Sequence, residues 1–248
     1  MRLNIFTYCN GIYRDFAPIF ILSNLYHNND CFVEVAMDDA NYNEIKESLN
    51  VLSDLYKNKF YVYSVKHKEV QPKNVTCNLI PNTIRFILTP INKSDYVYIS
   101  DIDIITLEKN IIEMHIDNMV KNDLPYSNIV RSSSTRLTGL HFTPYENYYP
   151  IPDYSDLCRK GTLNHDEVFL YELVKKKYPN FKLDKTYRPV HGIHVSPNRE
   201  PEGIMNWGMK RWKSEWINFR NSDNFLKVEP TFSDMIKSKI KIIDNYYK

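Results

Sequence analysis

Two aspartates one residue apart, Asp101-Ile102-Asp103, end the apolar run Tyr96-Val97-Tyr98-Ile99-Ser100. Residues i and i+2 of an extended chain project to one side, so the pair can aim two hard oxygens at a single divalent cation. Mn²⁺ or Mg²⁺ suits it, since these ions take few carboxylates and complete their shell with phosphate oxygens and water. With 17 aspartates in the chain, about one Asp-x-Asp arises by chance, so context must carry the reading. Here the context is a buried strand end, and ligands of open α/β sheets sit beyond the carboxyl ends of strands. The plain alternative is a solvated strand end that begins a turn.

Elements able to position such a pair alternate along the first hundred residues. Leu3 to Tyr8, Cys31 to Met37, Phe60 to Val65 and Tyr96 to Ile99 read as strands; Phe16 to Tyr26, Tyr42 to Tyr56 and Asn82 to Ile91 read as helices. Strands separated by helices at this pitch predict βαβ units and a parallel sheet. Beyond Asp103, a helix is predicted over Asn110 to Met119, a strand near Leu137 to Thr143, a helix over Asp166 to Lys177 and a strand over Val190 to Val195. The Tyr- and Pro-rich stretch Pro144 to Asp156 reads as a loop, suited to acceptor contacts or serving as a surface connection.

Composition narrows the partners. The 248 residues carry 32 basic and 30 acidic side chains, a formal charge of +2, which argues against nucleic acid as a partner. Six glycines allow neither G-x-G-x-x-G nor G-x-x-x-x-G-K-[ST], so any nucleotide phosphates need another device. Cys9, Cys31, Cys77 and Cys158 stand far apart, which reads as reduced thiols in a cytosol. No signal peptide and no spanning apolar run is predicted.

The stretch Asn82-Thr83-Ile84-Arg85-Phe86, followed by the strand ending in Asp101-Ile102-Asp103, resembles the heart of glycosyltransferase family eight, the retaining galactosyl- and glucosyltransferases of the GT-A fold. The resemblance implies a metal-dependent hexosyltransferase using a nucleotide-sugar donor, a UDP-sugar, and a glycan or lipid-linked acceptor, as in surface polysaccharide or lipopolysaccharide synthesis. It implies that Arg85 contacts the donor. Asn164-His165-Asp166-Glu167-Val168 is similar to the family's acidic segment, which would place Asp166 on sugar hydroxyls and Glu167 near the anomeric carbon. Carboxylates in a first helical turn are also favoured by the helix dipole alone. His191-Gly192-Ile193-His194 with Arg199 resembles the segment supplying a third metal ligand and a basic contact to the diphosphate. His191 and His194 are three apart and face opposite ways on a strand; the distance to Arg199 favours His194. Leu137-Thr138-Gly139 stands where the family shows Asn-Ala-Gly, and its Lys-Pro-Trp is missing.

Thr7-Tyr8-Cys9-Asn10-Gly11-Ile12-Tyr13 follows the first strand, where GT-A proteins place the nucleoside. Tyr8 or Tyr13 would stack on a base and Thr7 or Asn10 would read its edge, unless Asn10-Gly11 is simply a turn. The expected organisation is a catalytic domain over 1–203, divided into a donor half (1–103) and an acceptor half (104–203), with a helical extension over 204–248. In that extension Trp207, Lys210, Arg211, Trp212, Lys213, Trp216 and Arg220 form a mixed aromatic and basic face. It would lie on an anionic inner membrane leaflet or pack its tryptophans on the domain. A sugar nucleotidyltransferase and an inactive carbohydrate-binding module are the rival readings.

Overall fold

Strands β1 (Leu3–Cys9), β2 (Cys31–Met37), β3 (Phe60–Ser64) and β4 (Tyr96–Ile99) pair in parallel, and with β6 (His141–Pro144) the sheet order is β3-β2-β1-β4-β6. The computed structural model describes residues 1–38, 43–66, 70, 72, 79–128, 135–159, 165–180, 191–199, 201–205 and 209–248. The edge strand β6 (His141–Pro144) runs antiparallel to β4, and β5 (Ile104–Thr106) forms a separate antiparallel pair with β7 (Gly192–His194). The sheet is therefore mixed. All seven residues of β1 are buried, as expected for a strand covered on both faces.

The helices are α1 (Ala17–His27), α2 (Lys46–Leu55), α3 (Pro81–Ile84), α4 (Ile111–Asn122), α5 (Tyr145–Tyr148), α6 (Ser155–Arg159), α7 (Asp166–Lys177), α8 (Pro201–Met205), α9 (Lys213–Arg220), α10 (Asp223–Val228) and α11 (Asp234–Tyr247). α3 is far shorter than the helix expected over Asn82 to Ile91. Pro90 cannot continue a helix, and buried Glu34 of β2 draws the next backbone away. Its carboxylate accepts from Ile91 N–H (2.7 Å), Asn92 N–H (3.0 Å) and Asn4 Nδ2 (3.0 Å), which is how a fully buried carboxylate is satisfied in a strand.

Two other expectations hold in part. The stretch after Pro144 is helical over α5, and Tyr145, Tyr148 and Tyr149 join a buried cluster with Phe86 and Val97, whereas 149–154 carry neither helix nor strand and expose Pro150 and Asp153, as the loop reading expects. Of the two readings of the 207–220 face, packing on the domain holds for Trp212 and Trp216. Trp212 and Trp216 lie in one core with Ile5, Phe20 and Phe225, and Trp216 Nε1 donates to Asp244 Oδ1 at 2.9 Å. Aromatic burial of this size favours the protein interior over a membrane interface. Arg220 bonds Glu229 (2.6 and 2.8 Å) and Asp244 (3.2 Å); Trp207 lies outside the described residues.

Cys9 and Cys31 are buried free thiols, whereas Cys158 is disulfide-bonded. That bond departs from the reduced state read from the cysteine spacing, since disulfides persist in oxidising compartments. Among the described residues no helix is long and apolar enough to cross a membrane.

Candidate functional site

A cleft of about 430 Å³ gathers Tyr8, Asn10, Tyr13, Arg85, Asp101, Asp103, Asp166, Glu167, His194 and Arg199. β4 delivers the acidic pair and β7 delivers His194. The two meet because β5 pairs Ile104 with His194, and Val195 N–H donates to the Asp103 carbonyl at 2.8 Å. Asp103 Oδ1 then lies 3.0 Å from His194 Nε2. One ligand atom each from Asp101, Asp103 and His194 falls within 4.8 Å of the others. Two carboxylate oxygens and an imidazole nitrogen suit a small divalent cation, so these residues fit the metal that the acidic pair implies.

Electrostatics support the same fit. Burial pushes the Asp101 carboxyl up from its ordinary value; Arg85 pulls it down and Asp103 pushes it up again. A cation would relieve both the burial cost and the repulsion. Arg85 is the counterweight within the protein. Its Nη2 donates to Asp101 Oδ1 at 2.8 Å and to Asp166 Oδ2 at 3.0 Å, with the side chain 6% exposed. Burial works against the guanidinium charge, but Asp101, Asp166, Asp103 and Glu167 outweigh it and raise its pKa. Arg85 thus ties the end of β4 to the start of α7. There Asp166 and Glu167 occupy the first helical turn, where the dipole favours negative charge.

Gly139, Thr138 and Asn82 also line the cleft, and sequence reasoning did not assign them a role. Gly139 leaves room for the Arg85–Asp101 contact: a Cβ there would come within 2.6 Å of Arg85 Nη2 and 3.0 Å of Asp101 Oδ1. Its place beside the pair is visible only once β4 and the 138–140 segment are neighbours.

Thr7 departs from its expected place at the donor. It is fully buried and its hydroxyl donates to the Ser100 carbonyl at 2.8 Å, so it braces β1 against the end of β4. His191 faces away from the cleft. It shares hydrogen bonds with Tyr98 Oη through Nδ1 and with His115 Nε2 through Nε2, the latter at 2.8 Å, and His115 Nδ1 lies 2.7 Å from Ser127 Oγ. This buried chain connects the strands that carry Asp101 and His194. Asn164 lies outside the described residues.

No family model matches the chain, and no curated protein matches its sequence. Solved structures do match. The galactosyltransferase LgtC, in complex with donor and acceptor sugar analogues, aligns with a TM-score of 0.58 and 12% identity, over 95% of this chain and 99% of its own. The glycosyltransferase GlyE of Streptococcus pneumoniae TIGR4 aligns with a TM-score of 0.50 and 12% identity, over 98% of this chain and 62% of its own. At these identities the likeness shows the fold, a GT-A-like mixed sheet flanked by helices with a C-terminal helical region.

Proposed function

We propose that this chain is a glycosyltransferase that moves a sugar from a nucleoside-diphosphate donor, a UDP-sugar, to a glycan or lipid-linked acceptor. The observation that carries the reading is the three-ligand cluster of Asp101, Asp103 and His194 in one cleft with Arg199, Asp166 and Glu167. A divalent Mn²⁺ or Mg²⁺ held there would offset charge on the leaving diphosphate. Arg199 adds a second positive group for the same phosphates. Asp166, held in place by Arg85, binds hydroxyls of the donor sugar. In a retaining course the departing diphosphate takes the acceptor proton, and no side chain need act as the base. Glu167 then shields positive charge on the anomeric carbon. Tyr8, Asn10 and Tyr13 hold the nucleoside.

A panel of nucleotide-sugars with Mn²⁺ tests the reading. Release of nucleoside diphosphate coupled to sugar transfer supports it. Release of pyrophosphate would mark a nucleotidyltransferase, and binding without turnover would mark a carbohydrate-binding module.

Gly139→Ala should lower kcat by about tenfold or more, since displacements near 1 Å in a positioned site cost up to about a hundredfold. The added methyl forces Arg85 off Asp101 or Asp166. Steady-state kinetics with a thermal melt check this, and an unchanged kcat would remove the guanidinium clamp from the account.

A further inference from the structure

Helix α11 buries Ile236, Ile240, Ile243 and Tyr247 at helical spacing. Lys239 stands in the same row, three residues after Ile236 and four before Ile243, where an apolar side chain belongs. A lysine persists on such a face when its stem packs along apolar surface and its ammonium finds acceptors. Half-buried Lys239 could reach outward to water, the usual solution. Instead its Nζ donates to two backbone carbonyls of one turn, Pro197 at 3.4 Å and Arg199 at 3.0 Å.

That turn belongs to the cleft. It is closed by Arg199 N–H on the Ser196 carbonyl at 3.1 Å, and both Ser196 and Arg199 line the cleft. Tyr13 Oη lies 3.5 Å from Ser196 Oγ, joining the turn to the N-terminal loop. An ammonium that bonds two carbonyls at once restricts the peptide planes that carry them, and so the direction in which the Arg199 side chain leaves the backbone.

We propose that Lys239 is a positioning residue of the donor site, acting from the C-terminal helix by fixing the 196–199 turn so that Arg199 faces the diphosphate. The inference rests on the reading of the cleft as a nucleotide-sugar site. It makes the C-terminal helical region part of the donor site rather than an appendage.

Calorimetry with UDP and Mn²⁺ tests it on the full chain. Lys239→Met should weaken UDP binding by about tenfold, the scale of losing charge-assisted bonds, and Lys239→Arg should recover most of the loss. Uridine, which has no phosphates, should bind all three proteins alike. In an Arg199→Ala background, Lys239→Met should add less than about twofold, because the two residues act through one contact. Wild-type UDP affinity in Lys239→Met, equal weakening of uridine and UDP, or multiplying effects of the two substitutions would each overturn the proposal. Should Lys239→Met fail to fold, Lys239→Gln serves, since it keeps a polar end and removes the charge. A wild-type chain that binds none of UDP, GDP, CDP or ADP with any divalent metal would overturn the nucleotide-site reading and this inference together. Wild-type binding with indifferent variants overturns only the role of Lys239.

Discussion

The Asp103→Asn chain is expected to fold normally and to lose sugar transfer by on the order of a thousandfold, the upper range for removing one group aimed at developing charge. Asparagine keeps the volume and one oxygen but removes the charge that a divalent ion needs. Asp103 is the cleaner test of the pair because Asp101 also holds Arg85 at 2.8 Å. In Asp101→Asn the guanidinium would keep only Asp166 as an ion-pair partner at comparable distance, so lost activity would mix metal loss with a moved α7 terminus. Since Asp103 pushes the Asp101 carboxyl up, its replacement relieves repulsion, and the metal-free melting temperature should stay level or rise slightly. Full turnover of Asp103→Asn in EDTA would end the metal-site assignment.

A steep loss of stability in mild acid is expected next. Burial lowers the pKa of His27 to about 4, of His141 to about 3 and of His191 to about 3, and pushes His115 well below its usual value. Lys109 adds to the effect at His27, Arg211 at His191, and His191 and His141 at His115. In the unfolded chain each imidazole takes up a proton near the ordinary value of about 6.5. Between that value and about 4 the unfolded state binds more protons than the folded one. Stability is therefore full above pH 7 and falls as pH drops through this window. At pH 5.5 each histidine costs about 1.4 kcal/mol, so four together cost on the order of 5 kcal/mol, comparable to a typical domain's whole stability. Asp101, with its raised carboxyl, works the other way but is a single group against four. Urea melts at pH 7.5, 6.5 and 5.5 measure the trend, and a midpoint independent of pH would show that these imidazoles are not held neutral.

The signals that were legible in the sequence are the local ones. An Asp-x-Asp just beyond an apolar strand places both carboxylates at its carboxyl end, although 102–103 form a turn rather than the extended run that the two-residue repeat assumes, and the three-residue separation of His191 and His194 sends them to opposite sides. What the sequence could not reveal depends on which elements meet. Glu34 ends the helix expected over 82–91 by capturing Ile91 and Asn92 from another strand. The tryptophans of the C-terminal segment have the composition of a membrane face, yet Asp244, 28 residues away, takes the Trp216 indole and makes it core. Thr7 is next to the cleft residue Tyr8, but β1 is covered on both faces and the Thr7 hydroxyl turns to the Ser100 carbonyl, a partner 93 residues away. Gly139 keeps only the glycine of the Asn-Ala-Gly segment and Lys239 carries no motif, and the roles of both come from contacts that exist only after folding.

A divalent cation and a nucleoside diphosphate are expected to bind together at Asp101, Asp103 and His194. The most direct test of this is the affinity of the wild-type chain for UDP, measured by calorimetry with Mn²⁺ and again in EDTA. UDP should bind at least about tenfold more tightly with metal, within the one- to two-decade scale of metal-site perturbations, and Asp103→Asn should lose that gain. Equal UDP affinity in Mn²⁺ and in EDTA would contradict it.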